Sequence, residues 1–86
     1  PSTLSRPLVA YAGTWENPLL GTVRIAERGG AMIVSMGVME AVAEAFTEAE
    51  SVRVELAPMQ GQPIRFGGDG AAPDRLELMG ETFLRR

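Results

Sequence analysis

From Gly13 to its last residue, the sequence alternates between short segments of period two and turns of a few residues. In the clearest segment, Val52, Val54 and Leu56 are separated by Arg53 and Glu55, which is the pattern of a half-buried β-strand. Turns this short force successive strands to run antiparallel. We predict eight strands, over residues 13–17, 21–28, 31–37, 39–46, 51–57, 62–67, 74–79 and 81–86.

The number of strands and the chain length together predict the fold class. Eight antiparallel strands are about the number at which a barrel interior is just filled by side chains or holds one small ligand, and closure removes exposed strand edges. A chain of 86 residues supports one modest core. We therefore predict an all-β, up-and-down meander that closes into a small barrel, with residues 1–86 as a single domain.

Glycine and proline mark the predicted turns. Gly29 and Gly30 suit a two-residue hairpin, because both positions of its turn require positive φ angles. Residues 58–61 are expected to turn the chain, and residues 67–73 form the longest predicted loop.

The N-terminal segment predicts a single helical turn. Ser5 is a candidate N-cap for a turn over residues 6–10, with Pro7 in the first turn, where its missing N–H has no cost. Leu8 and Tyr11 would share one face of this turn. Residues 1–6 are expected to be a linker from an upstream domain.

The segment 39–49 carries two conflicting patterns. Glu40, Glu44 and Glu48 fall at helical spacing, and the alanine-rich composition favours a helix. Val42 and Phe46, however, also fit an alternating strand, and the segment lies between two strong strands. We favour a strand, because sheet context overrides propensity differences of under about 1 kcal/mol per residue. A helix remains the alternative.

Composition excludes several classes of partner. The eight basic and eleven acidic residues give a net charge of −3 and are spread along the chain, so there is no basic stripe for nucleic acid. No apolar run approaches the roughly 20 residues of a membrane-spanning helix. The chain contains no cysteine, which removes disulfides and thiolate sites.

The inventory of reactive side chains argues against catalysis and cofactor binding. The chain has no histidine, cysteine or lysine to activate a serine. Four carboxylates in predicted turns, Glu48, Glu50, Asp69 and Asp74, are interpreted as solvated turn acids. Their spacing does not match a metal loop, and residues 67–70 lack the ending of a phosphate-binding loop. We predict no catalytic residue, no metal and no cofactor.

One strand carries more apolar surface than a half-buried strand needs. Residues 31–36 are apolar on both predicted faces, which suits a strand that meets the core on one side and another surface outside. Ile33, Met36 and Met39, on this strand and the start of the next, are the candidate interaction surface.

The lead-in from Leu8 to Trp15 contains a Gly-x-Trp motif, Gly13-Thr14-Trp15, and resembles the entry to a small calycin-type, or lipocalin-like, barrel. In such barrels the tryptophan closes one end, the glycine allows close backbone approach, and an arginine of the last strand stacks on the indole. The resemblance therefore implies a structural plug made of Gly13, Trp15 and either Arg85 or Arg86.

A more specific resemblance comes from motifs distributed over residues 7–86. These motifs are Leu8-x-x-Tyr11-x-Gly13-x-Trp15, Gly21-Thr22-Val23-Arg24-Ile25, Ser51-Val52-Arg53-Val54-Glu55-Leu56, Ile64-Arg65-Phe66 and Gly80-x-x-Phe83. Their order is similar to that of the lipocalin-like domain that follows class C β-lactamase-like serine hydrolase domains, which are related to penicillin-binding proteins. In that family the catalytic Ser-x-x-Lys and Tyr-x-Asn lie in the preceding domain, and no position of this chain matches them.

The resemblance implies a non-catalytic accessory domain whose partner is an N-terminal serine hydrolase domain of the same polypeptide. Such a domain would shape access to the active site or mediate homo-oligomerisation. Three alternatives stay open: a small apolar ligand binder, a self-associating module and an enzyme in its own right. A barrel filled with Val, Ile, Leu, Phe and Met side chains leaves little room for a cavity. The ligand binder is therefore ranked second, after the accessory domain.

Overall fold

A computed structural model of the chain describes residues 3–57 and 60–86. These residues form one antiparallel sheet, preceded by a 3₁₀ turn at Leu8–Tyr11. Over the described ranges the sheet has nine strands: β1 (Gly13–Asn17), β2 (Gly21–Arg28), β3 (Ala31–Met36), β4 (Met39–Val42), β5 (Glu44–Ala45), β6 (Ser51–Ala57), β7 (Gln60–Gly67), β8 (Arg75–Leu78) and β9 (Glu81–Arg85). The predicted all-β, up-and-down meander is confirmed.

The sheet curls into a nearly closed barrel because its two outermost strands are consecutive in the chain. The strand order is β4-β3-β2-β1-β9-β8-β7-β6-β5, and Ala43 alone separates β4 from β5. β4 pairs with β3, and β5 pairs with β6. One segment therefore connects both ends of the sheet, which removes much of the free edge that an open sheet would expose.

The strand prediction for residues 39–46 is confirmed, with a break at Ala43, and the helix alternative is wrong. Helical propensity is outweighed here by two ladders of backbone hydrogen bonds, one to β3 and one to β6. A helix would leave the facing edges of those strands unpaired and would withdraw Ala41 and Ala43 from the core. At the break, the Ala43 N–H donates to the Met32 carbonyl before the chain turns towards β6.

The predicted turns are largely confirmed. Gly29 and Gly30 have φ angles of 58° and 85° and join β2 to β3 as a two-residue hairpin. Of the predicted turn at residues 58–61, Pro58 and Met59 lie outside the described residues. Gln60 and Gly61 belong to β7, so that strand begins two residues before its predicted start.

The N-terminal turn is displaced from its predicted position. It spans Leu8–Tyr11, with Pro7 at the N-cap position and no side-chain cap. The capping role predicted for Ser5 is therefore wrong. Its backbone N–H instead donates to the Glu50 carboxylate. This tertiary contact fixes Ser5 ahead of the turn, which begins three residues later at Leu8.

Side chains alternate between the barrel interior and its outer surface, and the interior is packed with apolar groups. Among the described residues, every buried side-chain nitrogen or oxygen has a hydrogen-bond partner. The interior cluster consists of Tyr11, Trp15, Val23, Ile25, Met32, Val34, Val52, Val54, Leu56, Ile64, Phe66, Leu76, Leu78 and Phe83.

The two ends of the barrel differ in how they are built. At the capped end, the N-terminal segment 3–12 and the loop 68–74 are hydrogen-bonded to each other. At the turn end, the strands are joined by tight turns at residues 18–20, 37–38 and 79–80. In the part of the chain that the structure describes, no helix is long and apolar enough to cross a membrane.

Candidate functional site at the capped end of the barrel

Trp15 lies inside the barrel at the capped end and is completely buried. Its indole Nε1 donates to the Tyr11 carbonyl at 3.2 Å, which ties the indole to the last residue of the 3₁₀ turn. The Tyr11 ring meets Phe66 edge-on at a centroid distance of 4.6 Å, and the Trp15 and Phe66 centroids are 6.2 Å apart. These three aromatic side chains pack against one another inside this end of the barrel.

Arg85 covers the indole. Its Cζ atom lies 4.1 Å from the centroid of the Trp15 ring, and the two residues are direct partners on β9 and β1. The guanidinium donates to the carbonyls of Ala10, Ala12 and Pro73. Burial lowers the pKa of Arg85, but a guanidinium stays protonated in proteins. The cation is thus held by three carbonyls and one aromatic face, a contact typical of cation–π pairs.

Gly13 provides the space for this arginine. Its φ angle is 137°, and a Cβ atom at this position would lie 2.9 Å from Arg85 Nη1. The structure therefore brings Gly13, Trp15 and Arg85 together. Arg86 lies apart from them: its guanidinium faces Glu16 at 3.5 Å and is largely exposed.

The three residues of the candidate interaction surface lie on different faces. Met36 pairs with Met39 and with the buried Val23, so both methionines belong to the inner side, near the turn end. Ile33 lies on the outer face, paired with Val42, yet it is buried. The structure does not bring the three side chains into one patch.

A second cluster at the capped end centres on Glu50, which no local sequence pattern indicates. Its carboxylate accepts hydrogen bonds from Arg6 Nη1 at 2.7 Å, from the Tyr11 hydroxyl at 2.7 Å and from the Ser5 N–H at 2.5 Å. Arg6 also donates to the carbonyls of Gly68 and Gly70. The Arg6 and Glu50 side chains are only 13% and 23% exposed, so this ion pair is mostly withdrawn from water.

The backbone of Glu50 is held as tightly as its side chain. Its N–H donates to the Thr3 carbonyl at 2.9 Å, and its carbonyl accepts from the Phe66 N–H at 2.8 Å. Its φ angle is 56°, a conformation that costs a non-glycine residue about 1–2 kcal/mol. The contacts on both sides of Glu50 keep the residue in this conformation.

The contacts shift two pKa values in opposite directions. Burial alone would raise the pKa of the Glu50 carboxyl, but hydrogen bonds from Ser5 and Tyr11 and the charge of Arg6 outweigh burial and lower it. Burial and the hydrogen bond to Glu50 raise the pKa of the Tyr11 hydroxyl. At neutral pH the site is therefore an ionised carboxylate with a neutral phenol and a guanidinium as donors.

The interpretation of Glu50 as a solvated turn acid is wrong, because its side chain is mostly buried in the pair with Arg6. Glu48, by contrast, is half exposed and pairs with Arg65 at 2.7 Å on the surface. The Arg65 hydrogen bonds lower the pKa of the Glu48 carboxyl. The two glutamates are neighbours in the same turn and look alike in sequence. They differ because the partner of Glu50 is Arg6, 44 residues away.

Next to this cluster is an open depression of about 660 Å³, which we call the rim groove. It lies where the chain leaves β3 at the end of β4 and pairs with β6 through β5, and most of its wall is apolar. Its lining residues are Thr3, Leu4, Arg6, Pro7 and Leu8 of the N-terminal segment, Gly30, Ala31 and Met32, and Ala43, Glu44, Ala45 and Val52.

Several polar groups at these sites are already engaged in hydrogen bonds within the barrel. The Glu50 carboxylate already accepts from three donors, which makes it a poor base at neutral pH. The Ser51 hydroxyl is buried and donates to the Glu48 carbonyl. Within residues 3–57 and 60–86, no three side chains of the types His, Cys, Asp and Glu converge to form a candidate metal site.

Comparison of the chain with protein-family models, with curated proteins and with solved structures found no match.

Proposed function

We propose that this chain is a non-catalytic accessory domain of a serine hydrolase related to the class C β-lactamases. It packs against the catalytic domain of the same polypeptide, where it shapes access to the active site or mediates oligomerisation. The hydrolase is proposed from the sequence motifs between Leu8 and Phe83 that resemble the lipocalin-like domain of that family.

One structural observation carries the accessory role: the barrel interior is occupied by its own side chains. Trp15, Phe83 and Ile64 are completely buried inside the barrel, and Arg85 covers the indole at the capped end. A substrate site is normally a preformed cavity of about 300–1,000 Å³ with a few convergent polar groups. A barrel filled in this way offers its outer surface and rim for function, which suits a domain that acts by contact.

The test begins with the open reading frame that contains this chain. We expect a Ser-x-x-Lys motif upstream of Pro1, and we expect the full-length protein to hydrolyse ester or amide substrates. Removal of residues 7–86 should change kcat/KM for bulky substrates more than for small ones, or change the mass of the assembly in sedimentation. Absence of an upstream hydrolase, or turnover by the 86-residue chain alone, would contradict the proposal.

A second candidate function is the binding of a small apolar ligand, which the rim groove favours. Its volume of about 660 Å³ and its mostly apolar wall fall in the range of small-molecule sites. An apolar fluorescent probe should then bind the 86-residue chain with a one-to-one stoichiometry and quench Trp15. If the chain binds no such probe, the ligand-binding function is refuted and the accessory role is the remaining candidate.

A further inference from the structure

We propose that residues 3–7 form a strap that the Glu50 carboxylate fastens across the capped end of the barrel and releases when it is protonated. The rest of the barrel stays folded when the strap opens. Such a device goes beyond both proposed functions and operates whichever of them applies. Three features of the capped end support it: the donors gathered on one carboxylate, the backbone strain at that residue and the separate anchoring of the residues that follow the strap.

Much of the attachment of the strap passes through one carboxylate. The Ser5 N–H and Arg6 Nη1 donate to Glu50 at 2.5 Å and 2.7 Å. The Arg6 N–H donates at 3.3 Å to the Tyr11 hydroxyl, which itself donates to Glu50. Hydrogen bonds to an ionised carboxylate are roughly twice as strong as bonds between neutral groups. The charge on Glu50 therefore supports most of the attachment.

Protonation of Glu50 removes the acceptor that these donors share. An ionised carboxylate only accepts, whereas a carboxylic acid carries an O–H that needs an acceptor of its own. The Ser5 N–H and the Arg6 guanidinium are donors only, so the new proton faces groups that cannot accept it. The Tyr11 hydroxyl can accept the new O–H only by turning its own O–H away from Glu50. Each arrangement removes at least one hydrogen bond and the charge attraction to Arg6.

The fastened strap also holds the backbone of Glu50 in a strained conformation. Its φ angle of 56° lies in a region that a non-glycine residue occupies only where its surroundings impose it. The Glu50 N–H donates to the Thr3 carbonyl, and the Thr3 hydroxyl donates to the Ser51 carbonyl. Both are neutral bonds. Because opening breaks them and lets φ relax, the strain favours release once the carboxylate is neutral.

The residues after the strap are anchored by groups that keep their charge in acid. The Trp15 indole donates to the Tyr11 carbonyl, and Arg85 donates to the carbonyls of Ala10 and Ala12. A guanidinium stays protonated throughout, so the 3₁₀ turn at Leu8–Tyr11 remains on the barrel. The movement is therefore a local opening of the strap ahead of this turn.

Arg6 limits how far the strap opens. Its guanidinium also donates to the carbonyls of Gly68 and Gly70, and these bonds do not depend on Glu50. The flexible Arg6 side chain tethers the strap to the loop 68–74 while the backbone of residues 3–5 moves away. The opening is thus reversible when the carboxylate ionises again.

Glu50 is the group of this cluster whose charge changes in acid. Burial raises the pKa of Glu50, but hydrogen bonds from Ser5 and Tyr11 and the charge of Arg6 outweigh burial and lower it below its ordinary value of 4.5. The strap is therefore fastened above pH 4.5 and is released as the pH falls through the folded pKa. The other charged groups of the surrounding elements are engaged elsewhere or exposed: Glu44 pairs with Arg53, Glu48 with Arg65 and Asp74 with Arg75, Arg85 is bonded to carbonyls, and Asp69 is exposed.

Release of the strap opens the capped end at the rim groove. Thr3, Leu4 and Arg6 line the groove, and Leu4 packs against the interior cluster. Their movement extends the groove towards Tyr11 and Val52, which are buried while the strap is fastened. In acid the barrel then presents apolar surface that it covers at neutral pH.

The first experiment imitates the protonated carboxyl at neutral pH with Glu50→Gln. Because the chain has no cysteine, Leu4→Cys places a single thiol on the strap, and Val34→Cys places one at a completely buried position of β3. We expect Glu50→Gln to speed labelling of the strap thiol at least about tenfold and to leave the core thiol protected. Glu48→Gln, which breaks the surface pair with Arg65, is the matched control and should change neither rate.

Two results of this experiment would overturn the inference. Equal acceleration at both thiols would show that Glu50→Gln unfolds the whole barrel. Equal labelling of the strap thiol in Glu50→Gln and Glu48→Gln would show that the Glu50 carboxylate does not fasten the strap.

A second measurement needs no substitution and decides the matter if a cysteine variant fails to fold. Amide hydrogen exchange of the 86-residue chain is followed as the pH is lowered from neutral to below 4.5. Protection of the Ser5 and Glu50 N–H groups, which form strap contacts, should fall at least about tenfold. The Ala12 and Ala43 N–H groups, bonded outside the strap, should keep theirs. Loss of protection at all four amides together, or no loss at Ser5 and Glu50, would contradict the proposed release.

Discussion

The capped end and the turn end close the same barrel by different means. At the capped end, Arg85 donates to the Ala10 carbonyl, 75 residues away in sequence, and Arg6 donates to the Gly68 carbonyl across 62 residues. At the turn end, the strands are joined by turns of two or three residues, and Leu19 and Val38 are exposed at their tips. The turn end is connected by local turns and by a long-range link, from the buried Asn17 amide to the Thr82 carbonyl, whereas the capped end is organised by charged side chains that bring distant segments together.

This difference predicts where the stability of the molecule is concentrated. Groups at the capped end are buried and hydrogen-bonded, so their removal leaves cavities or unpaired polar atoms. Side chains at the tips of the turn end, such as Leu19 and Val38, are exposed, and exposed substitutions usually change the free energy of unfolding by less than about 0.5 kcal/mol. Substitutions at the two ends should therefore differ several-fold in their effect.

The largest effect is expected for Trp15→Ala. The substitution empties a completely buried site and removes the aromatic face under Arg85, so we expect a loss of about 3–5 kcal/mol in the free energy of unfolding. Urea unfolding followed by circular dichroism measures it. Leu19→Ala, at a side chain that is 75% exposed, is the turn-end control. Equal losses in the two variants would refute the comparison.

Glu50→Ala should have the second largest effect. It leaves the Arg6 guanidinium and the Tyr11 hydroxyl without their shared acceptor, and loss of a hydrogen bond to a charged group costs about 1.5–3 kcal/mol. The control is Glu16→Ala, since Glu16 forms an exposed pair with Arg86 worth at most about 1 kcal/mol. Urea unfolding of both variants should separate them, and a smaller loss for Glu50→Ala than for Glu16→Ala would show that the buried pair has no net stabilising role.

Gly13→Ala tests whether the glycine of the Gly-x-Trp motif is required by space as well as by φ. Its new Cβ would meet Arg85 Nη1 at 2.9 Å, and that guanidinium is held by three carbonyls, so we expect a loss of about 2 kcal/mol. Gly80→Ala, at the turn end, has a positive φ of 77° and open space around it, and should lose about 1 kcal/mol. If Gly13→Ala and Gly80→Ala lose the same free energy of unfolding in thermal unfolding, the contact with Arg85 does not contribute to the requirement for glycine at position 13.

The pH dependence of stability should show the charged cluster directly. Because folding lowers the pKa of Glu50 below its ordinary value of 4.5, its contribution is present above pH 4.5 and is lost as pH falls through the folded pKa. Because folding raises the pKa of Tyr11 above 10.0, its contribution is present below pH 10 and is lost as pH rises through the folded value.

Denaturant unfolding between pH 3 and pH 11 measures both limbs. The acid limb should be shallower in Glu50→Gln and the alkaline limb should flatten in Tyr11→Phe. Glu48→Gln is the control for the surface pair with Arg65, which also lowers a carboxyl pKa. If the acid limb is unchanged in Glu50→Gln, the loss of stability at low pH is due to other carboxylates. We expect the change in Glu50→Gln to be smaller than the loss in Glu50→Ala, since the neutral amide keeps part of the hydrogen bonding.

The smallest effect is expected for Val38→Ser. Val38 is fully exposed between β3 and β4, so the free energy of unfolding should change by no more than about 0.5 kcal/mol. Thermal unfolding measures the change. A larger loss would show that the turn end contributes to stability, and the contrast between the two ends would have to be abandoned.

Parts of this fold follow from short-range patterns. The alternation of Val52, Arg53 and Val54 indicates a strand without any other information, and the Gly29–Gly30 pair indicates its hairpin. The segment 39–45 shows the limit of such patterns, because its alanines and glutamates favour a helix locally. Its strand state depends on β3 and β6, which pair with it from both sides.

The residues of the candidate site also fall into two groups, those that the sequence indicates and those that only the structure shows. The Gly-x-Trp motif indicates Gly13 and Trp15 from the sequence alone. Arg85 of the last strand reaches the indole because β1 and β9 are paired. Arg6 and Glu50 carry no comparable signal. Each looks like an ordinary solvated charge in sequence, and only their approach across 44 residues makes them a buried pair.

The sequence by itself determined the antiparallel strands and most of their connections, since period-two alternation and glycine turns act between residues only a few positions apart. Tertiary structure decided the joining of the sheet ends at Ala43, the choice of Arg85 over Arg86 at Trp15, and the Arg6–Glu50 pair. Those features depend on groups that meet only after the barrel has formed, and their burial then sets their charge and hydrogen bonding.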